Sequence, residues 1–246
     1  MARTRAEITI GKALRDASNM ALERMLLVGD ARVPEMAGMQ LARVLARYWA
    51  QSIRSEGQKV QRAIGDLEAK ADETLWDQFL AEYVRLYGAQ AVSDILETTR
   101  RQIIEAVDRG LKDGKGIEVI AKELRERMPS LARSRARVIA RTETHSAAQY
   151  ASIKVAKAAR FPLVKTWNSA YDPRTRDFGE GDGIVDQGNH RAMNGVSVAL
   201  DEPFMVPNKW GGFDPMQFPG DPAGPAYQCV NCRCAISYKR ASRVIA

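Results

Sequence analysis

The chain has 246 residues, and 37 lysines and arginines against 30 aspartates and glutamates give it a net charge of +7. Hydrophobic residues make up 45% of it and charged residues 27%, which is typical of a folded globular protein and excludes wholesale disorder. No window of about 18 uncharged apolar residues occurs, so we expect no transmembrane helix, and the N-terminal segment MARTRAEITI lacks the apolar run of a signal peptide. Three clustered cysteines do not make a secreted disulfide framework, so we expect a reducing compartment. The basicity is compatible with an anionic partner such as nucleic acid, or with ordinary solubility charge.

Apolar residues recur at helical spacing through the first part of the chain. The spacing predicts helices over about 8–27 and 36–64, then one through 75–86 and another through 92–107. A shorter helix is predicted over 116–128, and Pro129 is predicted to begin a new helix that runs to about residue 159.

The composition changes near residue 160. Eight of the ten prolines and all three cysteines follow that point. Short strands are predicted over 163–168, 196–200 and 235–239, and the segments between them are too rich in Gly, Pro and Asp for helix or central strand. We therefore predict an α+β protein with a mostly helical domain over 1–160 and a small, loop-rich β domain over 161–246. So small a core usually needs a metal, a ligand or a partner to stabilise it.

The cysteines form the most specific local motif. Cys229 and Cys232 have the C-x2-C spacing of a zinc knuckle, and Cys234 could add a third thiolate to a tetrahedral ion. His190 lies in the same loop-rich region and would complete a Cys3His site. Nothing indicates an open catalytic position, so the predicted zinc is structural. The alternatives are reduced structural thiols, or one pair that forms a disulfide.

A basic stripe is predicted on the last long helix. Arg133, Arg137, Arg141 and His145 are spaced four apart, which places them on one helix face. Such a stripe can lie along a phosphate backbone, so we predict that the three arginines contact nucleic acid. The alternative is a solvated face, with Arg141 and Glu143 held in structural hydrogen bonds.

Acidic residues occur in two turns of the loop-rich region. Asp172 precedes Pro173, and Asp221 lies in a Pro-Gly-Asp-Pro turn. Together with His190 they could form a hydrolytic centre, or they could be turn residues and one metal ligand.

Six short strings in a fixed order resemble a known family. They are Ala140-Arg141-Thr142-Glu143, Lys165-Thr166-Trp167, Asp172-Pro-Arg-Thr-Arg176, His190-Arg-Ala-Met-Asn-Gly195, Pro219-Gly-Asp221 and Asn231-Cys232-Arg233-Cys234. This order resembles the phage Mu F-like head morphogenesis family, which comprises minor capsid proteins of tailed phages. The resemblance covers about residues 90–240.

The resemblance implies a structural role rather than an enzymatic one. It implies a protein of the virion head, made in the host cytoplasm, that associates with the portal protein and with capsid or scaffold proteins and assists head assembly, DNA packaging or delivery. It also implies possible contact with the packaged double-stranded DNA. The alternatives are a zinc-supported nuclease that uses His190 with Asp172 or Asp221, and an ADP-ribosyltransferase-like enzyme built around Arg141 and Glu143.

The sequence departs from the family pattern at two places. Thirteen residues, 177–189, separate the Arg-Thr-Arg string from His190, where the family usually has a few. Cys229 stands where the family more often has an apolar residue. A site of Cys232, Cys234 and His190 with Asp172 or Asp221 is therefore an alternative to the Cys3His set.

Overall fold

A computed structural model describes residues 4–65 and 73–241. Its helices are α1 (Arg5–Val28), α2 (Glu35–Ile64), α3 (Glu73–Tyr83), α4 (Ala89–Lys112), α5 (Ile117–Lys157) and the single turn α6 (Ala226–Cys229), with a π-helical turn over Val84–Gly88. α1 begins where the Thr4 hydroxyl accepts a hydrogen bond from the Glu7 backbone N–H, and it ends at Gly29 in the left-handed conformation.

Helix α5 is continuous through Pro129, so the prediction of two helices that meet there is wrong. Proline removes one backbone N–H and costs about 3 kcal/mol inside a helix. Leu124, Met128, Ala132 and Ala136 recur every four residues on both sides of it, and all four are buried. Apolar burial along this uninterrupted face accounts for a helix that continues past the proline.

The strands form two small antiparallel sheets. β1 (Leu163–Asn168) is the central strand of the first sheet and pairs with β2 (Ser197–Ala199) and β5 (Ala235–Arg240). β3 (Phe204–Pro207) and β4 (Phe213–Met216) form a separate two-stranded hairpin, which the sequence did not predict. The α+β class, helices followed by small sheets, is confirmed.

The chain divides into two compact units. The first comprises Met1–Tyr48 and Val84–Ala140, and the second comprises Trp49–Tyr83 and Arg141–Ala246. The first unit has an apolar core that draws on α1, α4 and α5 and includes Leu22, Ile103 and Leu124. The change from helix to strand lies near residue 160 as predicted, but the compact unit that holds the sheets also contains helical segments. That 161–246 is a separate domain stays a prediction.

The second unit contains a chain of aromatic contacts. Trp49 meets Tyr83 edge to face at 5.5 Å between ring centroids, Tyr83 meets Tyr150 at 5.2 Å, and Tyr150 meets Phe218 at 6.5 Å. Such pairs add to the energy of apolar burial, by about 0.5–1.5 kcal/mol each. They join the helical segments of this unit to the loop before residue 221. In the described part of the chain, no helix is both long and apolar enough to cross a membrane.

Candidate metal centre

His190 and two cysteines meet in the interior of the second unit. His190 lies just after a backbone bridge between Gly188 and Asn208, and its N–H donates to the Arg176 carbonyl at 2.9 Å. Cys232 and Cys234 immediately precede β5. His190 Nδ1 is 3.6 Å from Cys232 Sγ and also 3.6 Å from Cys234 Sγ, and the three ligand atoms all lie within 4.8 Å of one another. All three side chains are buried.

These distances fit a tetrahedral zinc ion. Zinc binds sulfur at about 2.3 Å and nitrogen at about 2.0–2.1 Å, so tetrahedral geometry separates a sulfur from a nitrogen ligand by about 3.6 Å. The donor set of two sulfurs and one imidazole nitrogen is one that zinc prefers. The residues present therefore fit zinc.

The two sulfurs share a hydrogen bond that favours one thiolate. It lowers the pKa of Cys234 to about 4 against the effect of burial, and the backbone N–H of Ala170 acts in the same direction. The same hydrogen bond, together with burial, raises the pKa of Cys232 well above its usual value. Because thiolate is the form that binds metal, this hydrogen bond favours Cys234 as a ligand.

Gln228 fixes the tautomer of His190. The Gln228 amide nitrogen donates to Asp214 Oδ2 at 2.8 Å and to the Pro207 carbonyl at 3.3 Å, so its Oε1 is left as an acceptor. That Oε1 lies 3.0 Å from His190 Nε2, which must therefore carry the proton. The lone pair of Nδ1 then faces the two sulfurs, as a metal-binding histidine requires.

Aromatic and apolar side chains surround the cluster. Trp167 packs edge to face on the His190 ring at 5.1 Å and on Phe204 at 5.3 Å. The core around them consists of Trp167, Met193, Phe204, Val206, Met216 and the three cysteines. This low-dielectric shell suits an ion held for structure, because a catalytic ion needs an open position for substrate.

Comparison with known proteins identifies the family. The sequence profile described as "Phage Mu protein F like protein" matches residues 101–237, which is more than half of the chain. The chain belongs to this family. It is a family of phage head morphogenesis proteins, and the match includes His190, Cys232 and Cys234.

This Mu F-like protein also resembles one curated protein of Bacillus subtilis (strain 168). The two are 28% identical over 165 residues, and that protein is described as "Uncharacterized protein YqbB". The alignment covers 66% of this chain but 45% of the relative, so the chain spans less than half the length of the relative that it matches. No solved structure matches the chain.

Two further predicted ligands of the Mu F-like protein lie outside the group of three. The Cys229 thiol donates to the Asp221 carbonyl oxygen at 2.7 Å. The Asp221 carboxylate accepts from the backbone N–H groups of Gln217 at 2.8 Å and Ala223 at 3.0 Å, and burial raises its pKa. Both groups are thus engaged within the turn that Asp221 forms, and their role as ligands stays a prediction.

Asp172, the other alternate ligand, is held by arginines. Arg233 reaches both of its carboxylate oxygens, at 2.7 and 2.8 Å, and Arg174 pairs with it at 3.2 Å. Burial acts to raise the pKa of Asp172, but the two arginines outweigh it and lower that pKa. Because Arg233 lies between Cys232 and Cys234, this bidentate pair anchors the cysteine segment to the Asp172 turn.

The three arginines of the predicted stripe differ in their surroundings. Arg133 and Arg137 are exposed, and Arg137 lies 4.0 Å from Glu7 in a loose ion pair. Arg141 donates to the Asn231 side-chain oxygen at 2.7 Å, and Glu143 accepts from the Trp49 ring N–H at 3.0 Å. Arg141 and Glu143 are therefore held in structural hydrogen bonds, in agreement with the alternative to a functional role.

Sequence reasoning missed two residues beside the centre. Gln228 carries no motif signal, because an amide that orients a histidine can come from anywhere in the chain. His145 was assigned to the basic stripe, yet its side chain is half-buried, and its buried Nε2 has no hydrogen-bond partner in the described part of the chain. Only two histidines occur in the sequence, so counting the available ligands could have pointed to it.

Proposed function

We propose that the protein is a minor head protein of a tailed phage that associates with the portal protein and with capsid or scaffold proteins. In this role it assists head assembly, DNA packaging or delivery, within the virion and, before that, in the host cytoplasm. The observation that carries the proposal is the match of residues 101–237 to the Mu F-like family, together with a buried Cys2His cluster inside the matched region.

A zinc ion at this cluster would act as a structural cross-link. His190 comes from the long loop after β1, and Cys232 and Cys234 come from the segment that leads into β5. An ion bound by all three joins segments that are about 40 residues apart in sequence, and metal-binding energy becomes folding energy where the apo site is not fully formed. This supports zinc as the element that stabilises a region rich in loops.

The burial of the cluster favours this structural role over the nuclease alternative. His190 and Cys232 are each 1% exposed and Cys234 is 3% exposed, so a phosphodiester has no route to an ion there without rearrangement. Asp172 and Asp221 are engaged in an ion pair and in a turn, respectively. The hydrogen bonds of Arg141 and Glu143 argue in the same way against an ADP-ribosyltransferase-like pocket.

Contact with DNA is the second part of the proposal. Arg133 and Arg137 are exposed and one helical turn apart on α5, a geometry that allows both to meet phosphates of one strand. Arg141 contributes less, because its guanidinium already binds Asn231. Contacts of this kind position a protein on DNA without reading its sequence.

Reconstituted heads test the portal association. The chain is co-expressed with the major capsid and scaffold proteins of the same phage, with or without the portal protein, and heads are purified by sedimentation. We expect the chain in heads only when portal is present, at a few copies per head. Equal incorporation into portal-free heads would show that it binds the capsid lattice instead.

A further inference from the structure

The candidate centre brings together three protein ligands, His190, Cys232 and Cys234, whereas structural zinc sites have four. We infer that His145 is the fourth ligand, through Nε2, so that the centre is Cys2His2. This rests on the proposal that the cluster holds zinc. Four observations within the second unit carry it.

The first observation is the course of α5 past the cysteine segment. The Thr142 hydroxyl accepts from the Asn231 backbone N–H at 2.9 Å, and Gln149 Oε1 accepts from the Ile236 backbone N–H at 3.2 Å. Residues 142, 145 and 149 share one helix face, because they are three and four positions apart. His145 therefore lies between two anchors that bracket Cys232 and Cys234.

The second observation is an unsatisfied atom. His145 Nε2 is buried without a hydrogen-bond partner in the described part of the chain, whereas the ring does hydrogen-bond to the Pro219 carbonyl. Since Nε2 takes no part in that bond, Nδ1 must be the donor and must carry the proton. Nε2 is then a buried hydrogen-bond acceptor without a donor, which costs about 1–3 kcal/mol of folding free energy. A metal ion would supply the missing partner.

The third observation is electrostatic proximity. Burial lowers the pKa of His145, and the negative charge of Cys234 acts against this while His190 adds to it. Both effects agree with the position of His145 between the Thr142 and Gln149 anchors. His145 lies outside the group of ligand atoms within 4.8 Å, so ion binding would draw its ring and the cysteine segment together.

The fourth observation is the close approach of a glycine, Gly220, to the His145 ring. Gly220 has φ +78°, and a Cβ there would come within 2.8 Å of His145 Cδ2. The Ser146 hydroxyl donates to the Gly220 carbonyl at 2.7 Å and holds the glycine in place. Other candidates for the fourth position already have partners: Cys229 binds the Asp221 carbonyl, Asp172 binds Arg233, and the Asp221 carboxylate caps its own turn.

The test compares zinc and cobalt binding by variants of the full chain, purified without a histidine tag. His145→Asn keeps an N–H near the position of Nδ1 for the Pro219 carbonyl but has no counterpart of Nε2. Cys229→Ser keeps a donor for the Asp221 carbonyl and removes the competing sulfur. Ser134→Ala is the matched control, because it removes an α5 hydroxyl that bonds within the helix, to the Leu131 carbonyl at 3.0 Å. Affinity is measured by competition with a chelator, and helix content by circular dichroism.

We expect one zinc per wild-type chain and a loss of affinity in His145→Asn of more than about 100-fold, which exceeds the effect of removing a group that only orients a ligand. The ligand-field band of bound cobalt should change in that variant, while the sulfur charge-transfer band keeps its intensity. Cys229→Ser and Ser134→Ala should both match the wild type in these bands, at unchanged helix content.

Three results would overturn the inference, and they are distinguishable. Wild-type affinity and cobalt spectrum in His145→Asn would leave the zinc proposal intact and remove His145 from it. A weaker charge-transfer band in Cys229→Ser would assign the fourth position to that sulfur. A wild-type chain that binds neither metal would refute the zinc proposal itself, and the assignment of His145 with it.

Discussion

His190 Nε2 and Gln228 Oε1 are 3.0 Å apart, and that contact determines which nitrogen of His190 faces the cysteines. The amide nitrogen of Gln228 is held in turn by Asp214, which also accepts from the Tyr227 hydroxyl at 2.7 Å. His190 of the candidate centre is therefore oriented through a hydrogen-bonded network rather than by its own backbone alone.

Replacement of Gln228 by Leu should weaken zinc binding by about 10–100-fold, the usual range when a partner of a metal-bound histidine is lost. Leucine fills a similar volume but accepts no hydrogen bond, so the His190 tautomer is no longer fixed. Competition with a chelator measures the change. Gln187→Leu alters an exposed glutamine of the same region and serves as the control. Unchanged affinity in Gln228→Leu would mean that packing against Trp167 orients His190 by itself.

Gly188→Ala should destabilise the region through the same network. A Cβ at Gly188 would lie 2.0 Å from Gln228 Oε1 and 2.5 Å from Cδ, so Gln228 would have to leave its partners. We expect a loss of about 1–3 kcal/mol in the free energy of unfolding, the range for overpacking, measured by denaturant titration. Gly116→Ala is the control, because a Cβ there meets its nearest atom at 3.7 Å. A loss no larger than that of the control would show that Gln228 can relocate freely.

The elements that carry a local signal were predictable from the sequence. β1, β2 and β5 contain alternating apolar residues, and the cysteine and histidine positions follow from motif spacing. The β3–β4 hairpin was missed because Pro207 and Pro215 stand in its strands, and proline is read as a strand breaker unless the pairing is known to be at an edge.

Contacts between distant residues carry no such signal. Trp49 donates to Glu143 across 94 positions of sequence and belongs to the same compact unit as the sheets. No periodicity or spacing connects these residues. The Gln228–His190 contact is similar, because a glutamine that accepts one hydrogen bond has no sequence signature. The error at Pro129 has another cause. The tendency of proline to break a helix was outweighed by apolar burial along the whole of α5.

Removal of the metal should expose the loop-rich region to proteases. Cys232→Ser removes one ligand of the proposed zinc ion, and the energy of metal binding becomes folding energy where the site is not formed without the ion. We expect it to lose zinc and to be cleaved within 161–241 several-fold faster than the wild type, while most helical circular dichroism remains. Chelator treatment of the wild type should reproduce the cleavage pattern. Equal protease resistance with and without metal would reduce the cysteines to ordinary buried thiols.

DNA binding through α5 should show in the salt dependence of affinity. Each phosphate neutralised by an arginine releases counterions, so replacing Arg133 and Arg137 with Gln should lower the slope of log affinity against log salt by up to about two units. Discrimination between DNA sequences should not change, because phosphate contacts carry no sequence information. Arg100 and Arg101 pair with Glu97 and Glu105 on α4, and their double replacement is the control. The same slope in both double variants would mean that the stripe does not meet DNA.

Lys165 should give the stability a pH dependence in the alkaline range. It is fully buried on β1, where its Nζ donates to the Gln217 carbonyl at 2.9 Å and to Gln217 Oε1 at 3.2 Å. Burial, with a smaller effect from Lys157, lowers the pKa of Lys165 from its usual 10.5 to about 8. Between those two values the unfolded chain holds a proton that the folded chain has released, so the contribution of Lys165 to stability rises with pH.

The difference in unfolding free energy between the wild type and Lys165→Met isolates this contribution from that of the other titrating groups. It should shift in favour of the wild type by up to about 3 kcal/mol between about pH 7 and pH 10.5. Methionine keeps the length of the apolar stem, and Lys239→Met, at an exposed position on β5, controls for the loss of one positive charge. Denaturant titrations at intervals of pH measure the difference. A constant difference across this range would show that Lys165 stays protonated in the fold, with its hydrogen bonds to Gln217 compensating for burial.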